Sequence, residues 1–262
     1  MKKFAGVLTV LAMLSSPVVA QESGDGYMGD SRQWSLGFYL WATGTEGDIG
    51  VGPFQVPVDL SFSDILEDLD FALFAHLEWH SRSSNWGFMT DLSYLKISSS
   101  DNLPIGRISS RIEMTWLEAA IMYNLASRES PFDLFLGFRT WDMDLSIGFD
   151  AASPSKGVAP PTLPPDGVTI NGGADWTDLM FGGRWAPRIG NKWWLILRAD
   201  YATGDSDTLN LAGNFMWRFG RSANFVFGYR YMDLDYSTGA GVNRRALDVQ
   251  FSGPVAAVNF TF

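Results

Sequence analysis

The chain has 262 residues, of which 46% are hydrophobic and 15% aromatic, with a mean hydropathy of zero and no Cys. Such hydropathy, with no later run of about 18 apolar residues, excludes a helical membrane protein. The aromatic content excludes a disordered chain. Nineteen Lys+Arg against 29 Asp+Glu, a net charge of −10, leaves no basic face for nucleic acid.

The first twenty residues read as an address. Lys2 and Lys3 precede an apolar run over 4–14, and the small residues Val18 and Ala20 precede Gln21. This is the pattern of a secretory signal peptide cleaved after Ala20. The run is too short to span a bilayer. An exported chain without Cys has no disulfide to hold it together.

From residue 34 onward the chain alternates in the manner of strands, whose successive side chains face opposite ways. Trp34, Leu36, Phe38 and Leu40 face one way, and Ser35, Gly37, Tyr39 and Trp41 the other. The same style recurs from Phe71, Trp86, Leu117 and Phe132, and again from Leu179, Trp193, Leu209 and Phe225. A last segment ends Ala256, Val258, Phe260, Phe262. Leu247, Val249 and Phe251 have the other parity, and a bulge at Ser252-Gly253-Pro254 would reconcile the two halves. This makes ten segments of about ten residues. Short connections at 82–85, 127–131, 187–192 and 220–223 alternate with longer ones at 44–70, 99–106, 146–175, 203–207 and 237–243.

Aromatic residues cluster at the segment ends (Trp34, Trp41, Trp79, Trp86, Tyr94, Trp185, Trp193, Tyr201, Trp217, Tyr229, Tyr231), as interfacial girdles require. The face opposite the apolar one carries Asp91, Arg139, Arg184, Arg198 and Arg230 at mid-strand. That suits a polar lumen; a soluble barrel would put its apolar face inside. The pattern predicts an all-β fold, a closed antiparallel transmembrane β-barrel of about ten strands with short turns at one end and long loops at the other.

The leader, the alternating aromatic strands and the ending Val258-Asn259-Phe260-Thr261-Phe262 resemble Gram-negative outer-membrane β-barrel proteins. The resemblance covers the mature chain. It implies a signal peptide at 1–20, a short periplasmic segment at 21–33 and a barrel over 34–262, in contact with outer-membrane lipid and lipopolysaccharide. It also implies that the terminal Phe262 is the signal read by the barrel-assembly machinery.

Candidate functional residues follow from the two faces. Buried Arg in a narrow barrel needs carboxylate partners, so Arg139, Arg184, Arg198, Arg218 and Arg230 are expected to form a lumen ion network with Asp91, Glu118, Asp178 and Asp200. Gly137-Phe138-Arg139-Thr140-Trp141-Asp142-Met143-Asp144 is echoed by Gly228-Tyr229-Arg230-Tyr231-Met232-Asp233-Leu234-Asp235. The glycines would leave room for long side chains of neighbouring strands. Asp142, Asp144, Asp233 and Asp235 fall at external strand ends. There they serve either as plain turn chemistry or as a weak Ca²⁺ or Mg²⁺ rim.

In the first external loop, Phe54 to Phe62 read as a short edge strand, and Asp64 and Glu67 are spaced as a capping box. This loop either extends the barrel wall or covers its mouth. Pro154, Pro160, Pro161, Pro164 and Pro165 disfavour regular structure in the third loop. The two His of the chain, His76 and His80, share an inward face with Glu78, which makes a two-ligand metal half-site or a set of lumen hydrogen bonds. No Gly-x-Ser-x-Gly elbow occurs.

Two functional classes remain in the foreground: a plugged structural or surface-interaction barrel whose loops make contacts, and a narrow porin-like channel for small solutes. An outer-membrane hydrolase is the third. The surface ligand is not readable.

Overall fold

The computed structural model describes residues 33–51, 54–103, 106–126, 131–151, 168–241 and 244–262. The expected signal peptide, all but the end of the 21–33 segment and the prolines of the third loop lie outside the described residues. The strands are β1 (Trp34–Trp41), β2 (Gly44–Val51), β3 (Phe54–Leu60), β4 (Leu69–His80), β5 (Trp86–Leu103), β6 (Gly106–Asn124), β7 (Phe132–Ala151), β8 (Val168–Trp185), β9 (Trp193–Thr203), β10 (Ser206–Arg218), β11 (Ala223–Thr238) and β12 (Arg245–Thr261). Among the described residues one helix, α1 (Phe62–Asp68), lies between β3 and β4.

Ten of these strands close on one another. β1 pairs β4, each strand from β4 to β12 pairs the next, and β12 returns to β1, all antiparallel. The seam closes where Trp34 N–H donates to Phe262 C=O and Phe262 N–H to Trp34 C=O, both at 2.9 Å. A closed sheet leaves no open edge in the ring.

Sequence alternation sets the two faces. The outer face is apolar and uncovered: Leu40 is 60% exposed and Ile121 and Phe138 58% each. No monomer in water leaves so continuous a surface bare. Aromatic pairs bound this band. Trp34–Trp79, Trp86–Tyr123 and Trp193–Trp217 stand 6.3, 4.9 and 6.0 Å apart at the short-turn end. Phe71–Tyr94 stands at the other end, 5.8 Å apart. From Trp86 to Tyr94 the band runs about 26 Å along the strand, at about 3.3 Å per residue.

The strands outrun that band. β6 has 19 residues and β7 has 20, and at a tilt near 40° a 20-residue strand rises about 50 Å. Most of what the sequence presents as long loops is therefore wall: β5 reaches Leu103, β6 begins at Gly106, and β9 and β10 are joined by Gly204-Asp205 alone. Above that short hairpin β7 is the only strand paired with β8 among the described residues.

The first external loop belongs to this wall. β1 and β2 lie in one register along β12, from Ser35↔Thr261 through Trp41↔Val255 and Gly44↔Ser252 to Val51↔Arg245. β3 pairs β2 as β4 pairs β1, so β3 and β4 form one descending line interrupted by α1. The helix start differs from the expected one. Ser61 is the N-cap and Asp64 the third helical residue, each side chain bonding the other's backbone N–H, so the capping box is Ser61–Asp64 and not Asp64–Glu67.

Another expectation is corrected, and one is extended. No bulge interrupts Ser252-Gly253-Pro254: β12 holds a constant register against β1, β2 and β11 throughout. Leu247, Val249 and Phe251 instead keep their parity and face inward, because the external half of the lumen is apolar. Gly137 and Gly228 are required by backbone approach. A Cβ on Gly137 would overlap the Ala119 carbonyl and the Ala120 side chain, and one on Gly228 the Gly213 carbonyl and the Asn214 side chain, so backbone approach adds to the side-chain room that was expected.

Candidate functional site

The barrel interior is stacked in layers, and its middle layer is ionic. Inward positions on β6, β7, β9 and β11 bring Glu118, Arg139, Arg198, Asp200 and Arg230 together. Arg139 donates to Glu118 at 2.8 Å and to Asp200 at 2.6 Å. Arg198 bridges the same two carboxylates at 2.6 and 2.7 Å. Arg230 reaches Glu118 at 3.4 Å, Asn210 Oδ1 at 2.8 Å and the ring of Trp41 at 4.7 Å. Asn210 in turn donates to Asp200. Arg139 is 0% and Glu118 1% exposed, so no water path crosses the layer at these residues.

Asp91 sits beside this group on β5 and accepts from the Tyr39 hydroxyl at 2.6 Å; its other oxygen lies 3.2 Å from His76 Nδ1. Towards the short-turn end Arg184 forms a second ionic centre with Glu78, at 2.6 and 2.7 Å, and with Asp133 at 2.8 Å. His76 and His80 both contact Glu78.

Two of the expected network members stand elsewhere. Asp178 accepts from Ser206 N–H at 2.9 Å and from its hydroxyl at 2.5 Å, outside the arginine layer. Arg218 lies over Trp194 at 4.5 Å near the short-turn mouth, where Arg188 lies over the same ring at 5.6 Å. Asp133 and Tyr39 are members that sequence reasoning left out, and Glu78, expected beside the two His, also pairs with Arg184. Face parity marks all three as inward, but parity alone does not say which residues meet across the bore.

Above the ionic layer the lumen turns aromatic. Trp116–Trp141, Trp141–Trp176 and Trp176–Tyr236 stack at 5.1, 5.8 and 4.1 Å. Trp41 meets Trp116 edge-on at 6.4 Å. Phe74, Met114, Met232, Leu234 and Val249 fill the space around them. Trp41 is therefore 4% exposed inside the bore, not part of the outer girdle. The signal was present in the sequence as tryptophans at inward positions just beyond where the apolar outer stripe fades.

The rim carboxylates separate into two patches on opposite sides of the barrel. On β7, Asp142 faces Asp175 and Asp144 faces Glu113. On the other side a row of directly opposed carboxylates, Asp207, Asp235, Asp248 and Asp48, crosses β10, β11, β12 and β2, with Asp233 one step below. The Thr203 hydroxyl donates to Asp207 at 2.7 Å and, with the Tyr201 hydroxyl, holds its carboxyl below the usual range. Among the described residues no three His, Asp or Glu gather closely enough to hold a metal ion, at the rim or at His76, Glu78 and His80.

The sequence matches no protein-family model and no curated protein. Solved structures are similar in shape. The outer membrane protease OmpT from Escherichia coli superposes with a TM-score of 0.58 at 9% identity, over 88% of this chain and 97% of that one. The transport unit of the autotransporter AIDA-I from Escherichia coli gives 0.43 at 6% identity, over 96% and 94%. The attachment invasion locus protein Ail of Yersinia pestis gives 0.36 at 8% identity, over 88% and 99%. The likeness to OmpT is one of fold: the chain has the closed antiparallel barrel architecture of Gram-negative outer-membrane proteins.

Proposed function

We propose that the protein is an outer-membrane barrel closed to solutes, whose work is done by the wall that stands above the membrane. The observation that carries this reading is the doubly filled bore. An ionic layer with Arg139 at 0% and Glu118 at 1% exposure lies beneath a stacked tryptophan layer with Trp141 at 1%. A ten-strand bore is little wider than the eight-strand case, which side chains just fill.

The uncovered outer band supports residence in a bilayer, since its rise of about 20 Å at a tilt near 40° is close to the apolar zone of about 25 Å between aromatic girdles. The extension of β5 to β8 and of β11, β12, β2 and β3 supports a role in surface contacts. Its opposed carboxylate rows repel one another. Divalent cations shared with the phosphates of lipopolysaccharide would offset that repulsion, as hard oxygen-rich sites do.

Liposome swelling tests closure. Vesicles carrying the refolded protein are expected to take up small sugars and amino acids no faster than empty vesicles. Uptake well above that background would overturn the reading and favour a channel.

A further inference from the structure

Buried hydrogen-bond donors nearly always find an acceptor. Four in the lumen find none among the described residues: Nε1 of Trp41, Trp116 and Trp141, and Nη1 of Arg139. All four residues are at least nine-tenths buried, so bulk water does not serve them. They are also neighbours. Trp116 faces Trp141 across β6 and β7, Trp41 meets the Trp116 ring, and Arg139 precedes Trp141 by two residues on the same inward face.

Their chemistry is one-sided. At the short-turn end the unpartnered atoms are mixed, Trp194 Nε1 with Oδ1 of Asn214 and of Asn224, and water, both donor and acceptor, can serve such a set. The mid-lumen group consists of donors alone. The ionic partners leave these donors unserved. The guanidiniums of Arg139, Arg198 and Arg230 draw on the carboxylates of Glu118 and Asp200, and Asp91, the third carboxylate beside them, is engaged by Tyr39 and His76. What this layer lacks is an acceptor for its four orphan donors.

We propose that the junction of the arginine layer and the tryptophan ladder binds a small monovalent anion, held by the indole N–H groups and Arg139 Nη1. A halide or nitrate suits the site better than sulfate or phosphate. A singly charged, weakly hydrated ion loses less on leaving water, and it can accept from several donors at once. The site requires only that the anion be resident, whether or not the bore conducts.

The test uses the refolded full-length barrel in detergent micelles, dialysed into sodium gluconate. Gluconate is then replaced by bromide at constant ionic strength while near-ultraviolet circular dichroism follows Tm. The wild type should show a saturable rise in Tm. Trp116→Phe and Trp141→Phe, which keep a ring and lose the N–H, should weaken or abolish it, and Trp34→Phe in the outer girdle should keep it. No saturable rise in the wild type, or an unchanged rise in both inner variants, would overturn the site. If the inner variants do not fold, bromide-soaked wild-type crystals decide. An anomalous peak within hydrogen-bond distance of an inner indole nitrogen supports the proposal, and peaks confined to the surface refute it.

Discussion

Glu118 accepts from Arg139, Arg198 and Arg230 at once, so its removal would strand three guanidiniums in a dry layer. Breaking a buried ion pair from one side costs about 3–5 kcal/mol. Glu118→Gln, nearly isosteric, is expected to lose that much in urea unfolding from micelles. A midpoint indistinguishable from wild type would show that the layer is wetter than its burial implies. Which residues line this layer was largely legible in the sequence, because inward parity and the Gly-aromatic-Arg echo single out Arg139 and Arg230. Their pairing was not. Arg184 meets Glu78, 106 residues away, across the bore, and strand alternation holds no information about what lies on the far wall. The same limit explains why Asp178 was grouped with the arginines although Ser206, 28 residues further along the chain, takes both of its oxygens.

At the scale of elements, α1 shows how a short helix survives in a wall of strands. Seven residues are too few for a helix to form unaided, and its Ser61–Asp64 box supplies two of the missing terminal bonds. The Ser61 hydroxyl, then its backbone N–H, hold the exposed Asp64 carboxyl below its usual range. A lowered folded value means that the cap is intact above the unfolded value and lost as pH falls through the folded one. Amide protection factors in α1 should therefore hold near neutrality and drop below about pH 4, close to where unperturbed Asp titrates. Asp64→Ala should show the low protection at every pH. Protection that is independent of pH in the wild type would mean that Ile65, buried beneath the helix, holds α1 without the cap.

Strand parity was readable wherever one face meets an apolar surroundings and the other a polar lumen. It failed at the upper ends of β6, β7, β8 and β12, where the lumen itself becomes aromatic and the contrast between faces disappears. Leu247, Val249 and Phe251 looked displaced by a bulge for that reason. They had kept their side; the environment on that side had changed.

The whole molecule combines three environments in one closed sheet. Its outer band is apolar and bounded by aromatics, its bore is ionic below and aromatic above, and its wall continues past the band as a carboxylate-bearing extension. The closed ten-strand topology was accessible from alternation and connection lengths because lipid tolerates no open strand edge. The height of the extension was not, since strand continuing above the band and loop carry the same mixed composition. The filled bore and the tall wall together support the proposed reading, in which contacts are made on the outside of the barrel and the lumen acts as a brace.

Single-channel recording of the refolded protein in a planar bilayer tests this most directly, with Arg139→Ala and Arg230→Ala alongside. The wild type is expected to insert without stable open steps, because Glu118, Arg139 and Asp200 leave no water path and Trp116, Trp141 and Trp176 close the bore above them. Stable open steps in the wild type, altered in size or selectivity by either substitution, would contradict the account and make the lumen the working part.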